Sequence, residues 1–286
     1  MNVGFVGVGA MGLAMAGHVQ RAGFTVIAND VDAQSLAAAA AQGMETCAAL
    51  ADLGRRTKTF VVVVATDEQS ETVTRGLIEV AEPGSVIAIA ATNNPATMRR
   101  LAEECAAKGV DFVDAPVVYG QEGARQGNLV SLCGGKAEAV EHLRPVLMGY
   151  SRDVIHVGPV GAGQIAKSCN NLLHWIHSVG NYEALLLAKR YGIDAQKMRE
   201  VLLKCPGKNG TLERWDATRF TWQQKDMDVI MDLAQDGGLV LPLTGQTDQL
   251  VKLLSAAMVK ELLYGPEAEY LGRTVRPLTA AEGGLG

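Results

Sequence analysis

The chain has 286 residues, a formal net charge of −5, 48% hydrophobic residues and 20% charged ones. That is long for one domain and rich enough for a large core, so two domains are expected. The acidic balance, with no lysine and arginine cluster, argues against a nucleic acid partner, and no apolar run approaches the roughly 20 residues that span a bilayer.

The first segment with a clear signature is VGFVGVGAMG, Val3 to Gly12. A β-capable run leads into Gly7, Gly9 and Gly12, and a helix-compatible stretch continues to Gly23: strand, tight turn and helix in the spacing G-x-G-x-x-G. Gly7 would allow the turn off the strand. Gly9, without a Cβ, would let a pyrophosphate approach the backbone beside Ala10 and Met11, and Gly12 would let the helix pack closely. The N–H groups at the helix start would meet the phosphates. Because this strand begins at once, no signal peptide and a cytoplasmic location are expected.

Phe24 to Ala28 reads as the second strand, ending at Asn29-Asp30. A carboxylate there would accept hydrogen bonds from the adenosine ribose, or else open the next turn. Val31 stands where a basic residue would be needed for a 2′-phosphate, which favours NAD over NADP. An alanine-rich helix (Ser35 to Gln42) follows, then strands at Thr59 to Ala65 and Ser85 to Ala90 around a helix at Glu68 to Thr74. Pro95 opens a helix reaching Lys108, with Thr92 or Asn93 as its cap. Further strands are expected at Val110 to Val113, Leu129 to Cys133 and Val154 to Val157, the last two around a helix at Ala137 to Leu147. This alternation gives an α/β, Rossmann-type, doubly wound and mainly parallel sheet over 1–160.

Beyond Gln164 no strand is expected. One long helix spans Ala162 to Tyr191, and helices follow at Asp194 to Leu203, Lys225 to Gln235 and Leu243 to Glu261, with Asp194 and Thr244 as caps. Residues 161–286 are therefore expected to form an all-helical substrate and oligomerisation domain, with a loose tail from Leu278 to Gly286. The five cysteines (Cys47, Cys105, Cys133, Cys169, Cys205) lack metal or C-x-x-C spacing, and His174 and His177 lack a nearby carboxylate. Reduced thiols and no metal are expected.

In an open α/β sheet, ligands bind beyond the carboxyl ends of the strands. The loops there are Ala65-Thr66-Asp67 and Ala91-Thr92-Asn93-Asn94, which could contact ribose and nicotinamide, and Asp114 to Gly123. In GPVGAGQIAKSCNN, Gly158 to Asn171, Lys167 and Asn171 share a helix face, with Asn170 beside them and His174 one turn on. Lys167 could exchange a proton with a hydroxyl as hydride moves, or belong to a solvated face.

GFVGVGAMGLAMAGHVQRAGF, the Asp114-Ala-Pro116 tripeptide, GPVGAGQIAKSCNN and Lys225-Asp226 occur in this order, and together the chain resembles the β-hydroxyacid dehydrogenase family, which includes 3-hydroxyisobutyrate dehydrogenases. The resemblance implies a Rossmann domain, a long interdomain helix, and a helical domain that forms a homodimer or homotetramer. It implies Lys167 as acid/base, Asn171 as substrate-orienting, Lys225 as a second cation near substrate or cofactor, and Thr92 at the nicotinamide end. The family's substrate loop usually reads D-A-P-V-S-G-G, its serine and the following N–H groups holding a carboxylate. Here Val118 replaces the serine and Tyr119 the first glycine, before Gly120. The N–H groups of Tyr119 and Gly120 could still bind a carboxylate, or the substrate could be larger, aromatic or held by the phenol.

The reading is thus an NAD-dependent oxidoreductase acting on a β-hydroxyacid-like alcohol or its carbonyl, a small-molecule carboxylate. The alternatives are an NAD(P)H-dependent semialdehyde or imine reductase on this scaffold, or a non-enzymatic dinucleotide sensor. Imine reductases resemble the architecture but lack the lysine at the Lys167 position.

Overall fold

The computed structural model describes residues 1–285, so Gly286 lies outside the described residues. Two compact units divide between Lys167 and Ser168.

The first unit runs β1 (Asn2–Val6), α1 (Ala10–Arg21), β2 (Thr25–Asn29), α2 (Ala33–Ala41), β3 (Glu45–Thr46), α3 (Leu50–Gly54), β4 (Thr59–Val62), α4 (Asp67–Ile78), β5 (Val86–Ile89), α5 (Pro95–Ala106), β6 (Asp111–Asp114), β7 (Val117–Val118), α6 (Gly120–Gln126), β8 (Leu129–Gly134), α7 (Ala137–Leu147), β9 (Ser151–Gly158) and the first residues of α8 (Ala162–Arg190). One sheet takes the order β3-β2-β1-β4-β5-β6-β8-β7, with β9 on β8. From β3 to β6 all pairs are parallel; β8 runs antiparallel to β6 and β7 and parallel to β9.

Both faces are buried, and the central strands are correspondingly apolar throughout. Val61, Val86 and Ala88 join the core under α1 and α7, while their neighbours Phe60, Val62, Ile87 and Ile89 join the core under α4 and α5. Parallel crossovers bring β1, β4, β5 and β6 to end at one sheet edge. The glycine turn, Thr92 and Asp114 therefore lie along the same edge.

Several boundaries differ from the sequence reading. The β4 strand ends at Val62; beyond it Val63, whose N–H still donates to Val6 O, and Val64 pack against the two cores. The cap of α5 is Asn94, which accepts from the Ala96 N–H at 2.8 Å, and not Thr92 or Asn93. Short β3, α3, β7 and α6 have no counterpart in the expected elements.

The second unit holds the rest of α8, then α9 (Ala195–Leu202), α10 (Gly210–Glu213), α11 (Gln223–Asp236), α12 (Pro242–Val251), α13 (Ala256–Tyr264), β10 (Ala268–Tyr270) and β11 (Arg273–Val275). Trp175, Val179 and Tyr182 recur at helical spacing along α8 and pack with Leu212, Trp215, Ile230 and Leu262. Asp194 caps α9 as expected.

Three corrections apply here. The expected helix from Leu243 to Glu261 is two helices, the second capped by Ser255, whose hydroxyl accepts from the Met258 N–H. Thr244 is buried inside α12 rather than capping it, since Leu241 and Pro242 begin that helix. The unit is not purely helical, because β10 and β11 form an antiparallel hairpin around Leu271 and Gly272, both at positive φ. The tail is also fastened. The Leu278 N–H donates to Arg190 O and the Leu285 N–H to Tyr191 O, and Thr279 and Glu282 form a capping box. Among the described residues, no helix is long and apolar enough to cross a membrane.

Candidate active site

At the end of β1 the three glycines have three different surroundings. Gly7 has φ +87, and a Cβ there would lie 2.2 Å from the Val63 carbonyl oxygen. A Cβ on Gly12 would lie 2.0 Å from the Gly7 oxygen, so this glycine lets α1 close onto the turn. Gly9 caps α1, and a Cβ there would meet nothing within 4 Å. That open backbone, next to Ala10 and Met11 in the first turn of α1, has the room and the N–H groups that a pyrophosphate needs. Asp30 completes the cradle: one carboxylate oxygen accepts from the Val8 N–H at 2.7 Å and the other from the Asp32 N–H at 2.9 Å. Val31 is fully exposed. Asn29 is buried with its amide committed to Cys47 O, and its carbonyl accepts from the Gly7 N–H. The residues present fit a dinucleotide.

Beyond β4, the Ala65 N–H donates to the Gln69 side chain and the Thr66 hydroxyl caps α4. Beyond β5 lies Thr92, half-buried between Ala91 and Asn93. Asn93 is 1% exposed. Its amide donates to Asp67 at 2.9 Å and accepts from the Ser70 hydroxyl at 3.1 Å. Asp67 also accepts from the Asn94 N–H at 2.8 Å.

The first turn of α8 joins this network. Gln164 is fully buried. Its side-chain oxygen accepts from the Asn93 N–H and its side-chain nitrogen donates to Ala91 O, each at 2.9 Å. The buried Asp114 carboxylate, at the end of β6, accepts from the N–H groups of Gly161 (2.7 Å) and Gln164 (2.9 Å). Burial pushes its pKa up to about 6, against the opposing pull of those N–H groups. Lys167 lies three residues after Gln164, half-buried on the same helix.

The Val118 to Gly120 segment runs from the last residue of β7 to the first of α6. Val118 is buried; Tyr119 and Gly120 have φ +85 and +60, so the tyrosine occupies backbone space that suits glycine. Arg152 lies across the phenol, its guanidinium carbon 4.4 Å from the ring centroid and one N–H donating to the hydroxyl at 2.6 Å.

Within the second unit, Asn171 is buried and accepts from the Asn170 amide at 3.2 Å. His174 bonds the Thr211 hydroxyl at 2.9 Å, and the adjacent Trp175 indole donates to Asp226 at 3.0 Å. Asp226 thus holds the start of α11, where Lys225 lies, against α8. All five cysteines are free thiols, and no metal-binding cluster occurs among the described residues.

Sequence reasoning did not single out Gln164 or Arg152, and it placed Asp67 and Asn93 only within strand-end loops that could contact the cofactor, with Asn93 alternatively a cap. The available signal was a glutamine three residues before Lys167 in an otherwise small and apolar turn.

The family profile of the NAD binding domain of 6-phosphogluconate dehydrogenase matches residues 2–158. That of the NAD-binding region of NADP-dependent 3-hydroxyisobutyrate dehydrogenase matches 161–262. The chain is 30% identical over 265 residues to 2-(hydroxymethyl)glutarate dehydrogenase of Eubacterium barkeri, covering 87% of this chain and 88% of that one. It is 32% identical over 218 residues to 3-hydroxyisobutyrate dehydrogenase of Pseudomonas aeruginosa, covering 75% and 73%. A crystal structure of 3-hydroxyisobutyrate dehydrogenase from Salmonella typhimurium has 27% identity and a TM-score of 0.76, covering 88% and 93%. An imine reductase from Myxococcus stipitatus shares the fold, with a TM-score of 0.66 at 18% identity over 88% of this chain and 92% of that one.

Proposed function

This chain belongs to the β-hydroxyacid dehydrogenase family of the 3-hydroxyisobutyrate dehydrogenase type, and from that premise we propose how its residues divide the reaction. The protein is a nicotinamide-dinucleotide-dependent dehydrogenase acting on CH–OH groups. Bound NAD supplies the hydride acceptor, and NADH the donor in reverse. Gly7, Gly9, Ala10, Met11 and Gly12 hold the pyrophosphate, and Asp30, steadied by Asn29, takes the adenosine ribose. Val31 leaves no cation for a 2′-phosphate, which supports NAD over NADP. Ala65, Thr66 and Thr92 line the ribose and nicotinamide end.

In the oxidative direction the Lys167 amine accepts the hydroxyl proton as the C–H bond gives up its hydride and the C=O bond forms. In reverse Lys167 returns the proton to the carbonyl oxygen. Asn171, with Asn170 and His174 nearby on the helix, orients the substrate. The N–H groups of Tyr119 and Gly120 receive the substrate carboxylate, Val118 offers only an apolar wall, and Lys225 supplies a second cation. Relatives of this chain include dehydrogenases named for 2-(hydroxymethyl)glutarate, L-serine, 3-hydroxyisobutyrate and L-threonate. Hydroxyl-bearing carboxylates are accordingly the proposed substrate class. Residues 1–160 serve as the dinucleotide domain and 161–286 as the substrate and oligomerisation domain of a cytoplasmic homodimer or homotetramer.

The observation that carries this reading is the buried tie between Gln164 and the Ala91–Asn93 backbone, which fixes the turn preceding Lys167 to the sheet edge bearing the dinucleotide cradle. Lys167→Ala is expected to lower kcat by about 10²–10⁴-fold on those hydroxyacids, with NAD affinity unchanged. Undiminished turnover would sink the assignment. A second reading, as an imine reductase, would be favoured instead if imines were reduced faster than hydroxyacids are oxidised.

A further inference from the structure

The Gln164 amide holds the backbone on both sides of a single residue. Its oxygen accepts from the Asn93 N–H and its nitrogen donates to Ala91 O, so Thr92 sits in a strap closed by one side chain. The same residue's backbone N–H donates to Asp114, and Asn93 is fixed in turn by Asp67 and Ser70. All these partners belong to the first unit, and Gln164 and Asp114 are fully buried.

We propose that Gln164 is a positioning residue that sets the Lys167 amine against the Thr92 loop, so that the proton-transfer group and the nicotinamide-end contact are registered by one side chain. This rests on the roles proposed above for Lys167 and Thr92. The chemistry of the strap explains the residue type. It needs one acceptor and one donor on a neutral, buried head group, and a primary amide supplies both. A hydrocarbon supplies neither. An ionised glutamate would accept from Asn93 but would turn a lone pair toward Ala91 O, in a buried site already holding the Asp114 carboxylate, with Asp67 beyond Asn93. A protonated glutamate restores the donor.

The test uses Gln164→Met and Gln164→Glu in the full-length protein. It follows thermal stability, NAD affinity, kcat and KM on the best-used of the four hydroxyacids named above, and hydrogen exchange of the peptide spanning 91–94 without ligand. For Gln164→Met, kcat is expected to fall about a hundredfold, the scale of an ångström's misplacement of reacting groups, while KM and NAD affinity change less than about threefold. The Asn93 N–H is expected to exchange faster. For Gln164→Glu, burial raises the carboxyl pKa. Its kcat relative to the unaltered enzyme should therefore rise about tenfold or more from pH 9 to pH 6, with Asn93 protection recovering in parallel.

A folded Gln164→Met with unchanged kcat, or a pH-independent kcat ratio and exchange for Gln164→Glu, overturns the proposal. If the methionine variant fails to fold, the glutamate variant decides alone. Adding Gln164→Glu to Lys167→Ala should cost nothing further in kcat. If Lys167→Ala by itself leaves turnover intact, the acid/base reading fails instead, and the exchange data still judge the strap.

Discussion

The Asp30 carboxylate accepts the Val8 N–H at 2.7 Å, so the end of β2 holds the middle of the glycine turn. The acidic residue that would read the ribose therefore also braces the backbone that would receive the pyrophosphate. Selectivity between the two dinucleotides would then fall to the next position, the fully exposed Val31. Val31→Arg is expected to raise kcat/KM for NADP by about tenfold, the worth of one charge-assisted phosphate contact, and to leave NAD little affected. Paired steady-state assays check this, and an unchanged preference would place the 2′-hydroxyl elsewhere.

Two glycines of the same turn should fail in opposite ways. A methyl group on Gly9 meets nothing, and its φ of −66° suits alanine. Gly9→Ala is expected to melt within about two degrees of the parent while losing at least about tenfold in NAD affinity, through obstruction alone. Gly12→Ala drives a methyl group into the Gly7 oxygen, and overpacking of this kind costs roughly 1–3 kcal/mol. Calorimetry and dinucleotide titration on both variants separate the two effects. Equal losses of stability would refute the division of labour.

The turn was legible because its spacing is local, and the central strands because burial on both faces writes them as unbroken apolar runs. β3 and β7 have two residues each, too few to carry a period. The break before Ser255 contains neither glycine nor proline, so the apolar spacing of α12 and α13 reads as one helix. The hairpin turn places Leu271 at positive φ without the Asn-Gly signal such turns favour. Asn93 looked like a cap because its place before Pro95 is a sequence property, whereas its bonds to Asp67, Ser70 and Gln164 are tertiary. Within the candidate site, Lys167 and Asn171 follow from helical spacing, but Gln164 acquires its partners only when β5, β6 and α8 meet.

Asp114 predicts a pH signature. Burial holds its folded pKa at about 6, above the ordinary 3.8. The folded state therefore keeps a proton that the unfolded chain releases. This contribution is complete below about pH 4 and is lost as pH rises through about 6, amounting to about 3 kcal/mol at most. Asp114→Asn has no such proton to lose. The melting temperature of the parent minus that of the variant should shrink between pH 4 and pH 7.5. Taking the difference removes the opposite trend from Glu104 and Glu282, whose arginine partners hold their pKa values down. A difference that grows with pH would mean that the bonds to Gly161 and Gln164 outweigh burial.

Tyr119 offers the sharpest statement about substrate range. Its φ of +85° costs about 1–3 kcal/mol for a side chain of this size, and Arg152 stacked on the ring holds the phenol in one place. Tyr119→Gly removes the backbone cost and the ring together, so its melting temperature should equal or exceed the parent's. Tyr119→Phe keeps the ring and loses the hydroxyl with its bond to Arg152. If the ring walls the substrate loop, the ratio of kcat/KM between a compact β-hydroxyacid and a bulkier one shifts at least about tenfold in the glycine variant, the scale of a pocket-shape change. In the phenylalanine variant it moves only a few-fold. A comparable shift in both would assign the selectivity to the phenolic hydroxyl, and no shift in either would remove Tyr119 from the substrate's surroundings.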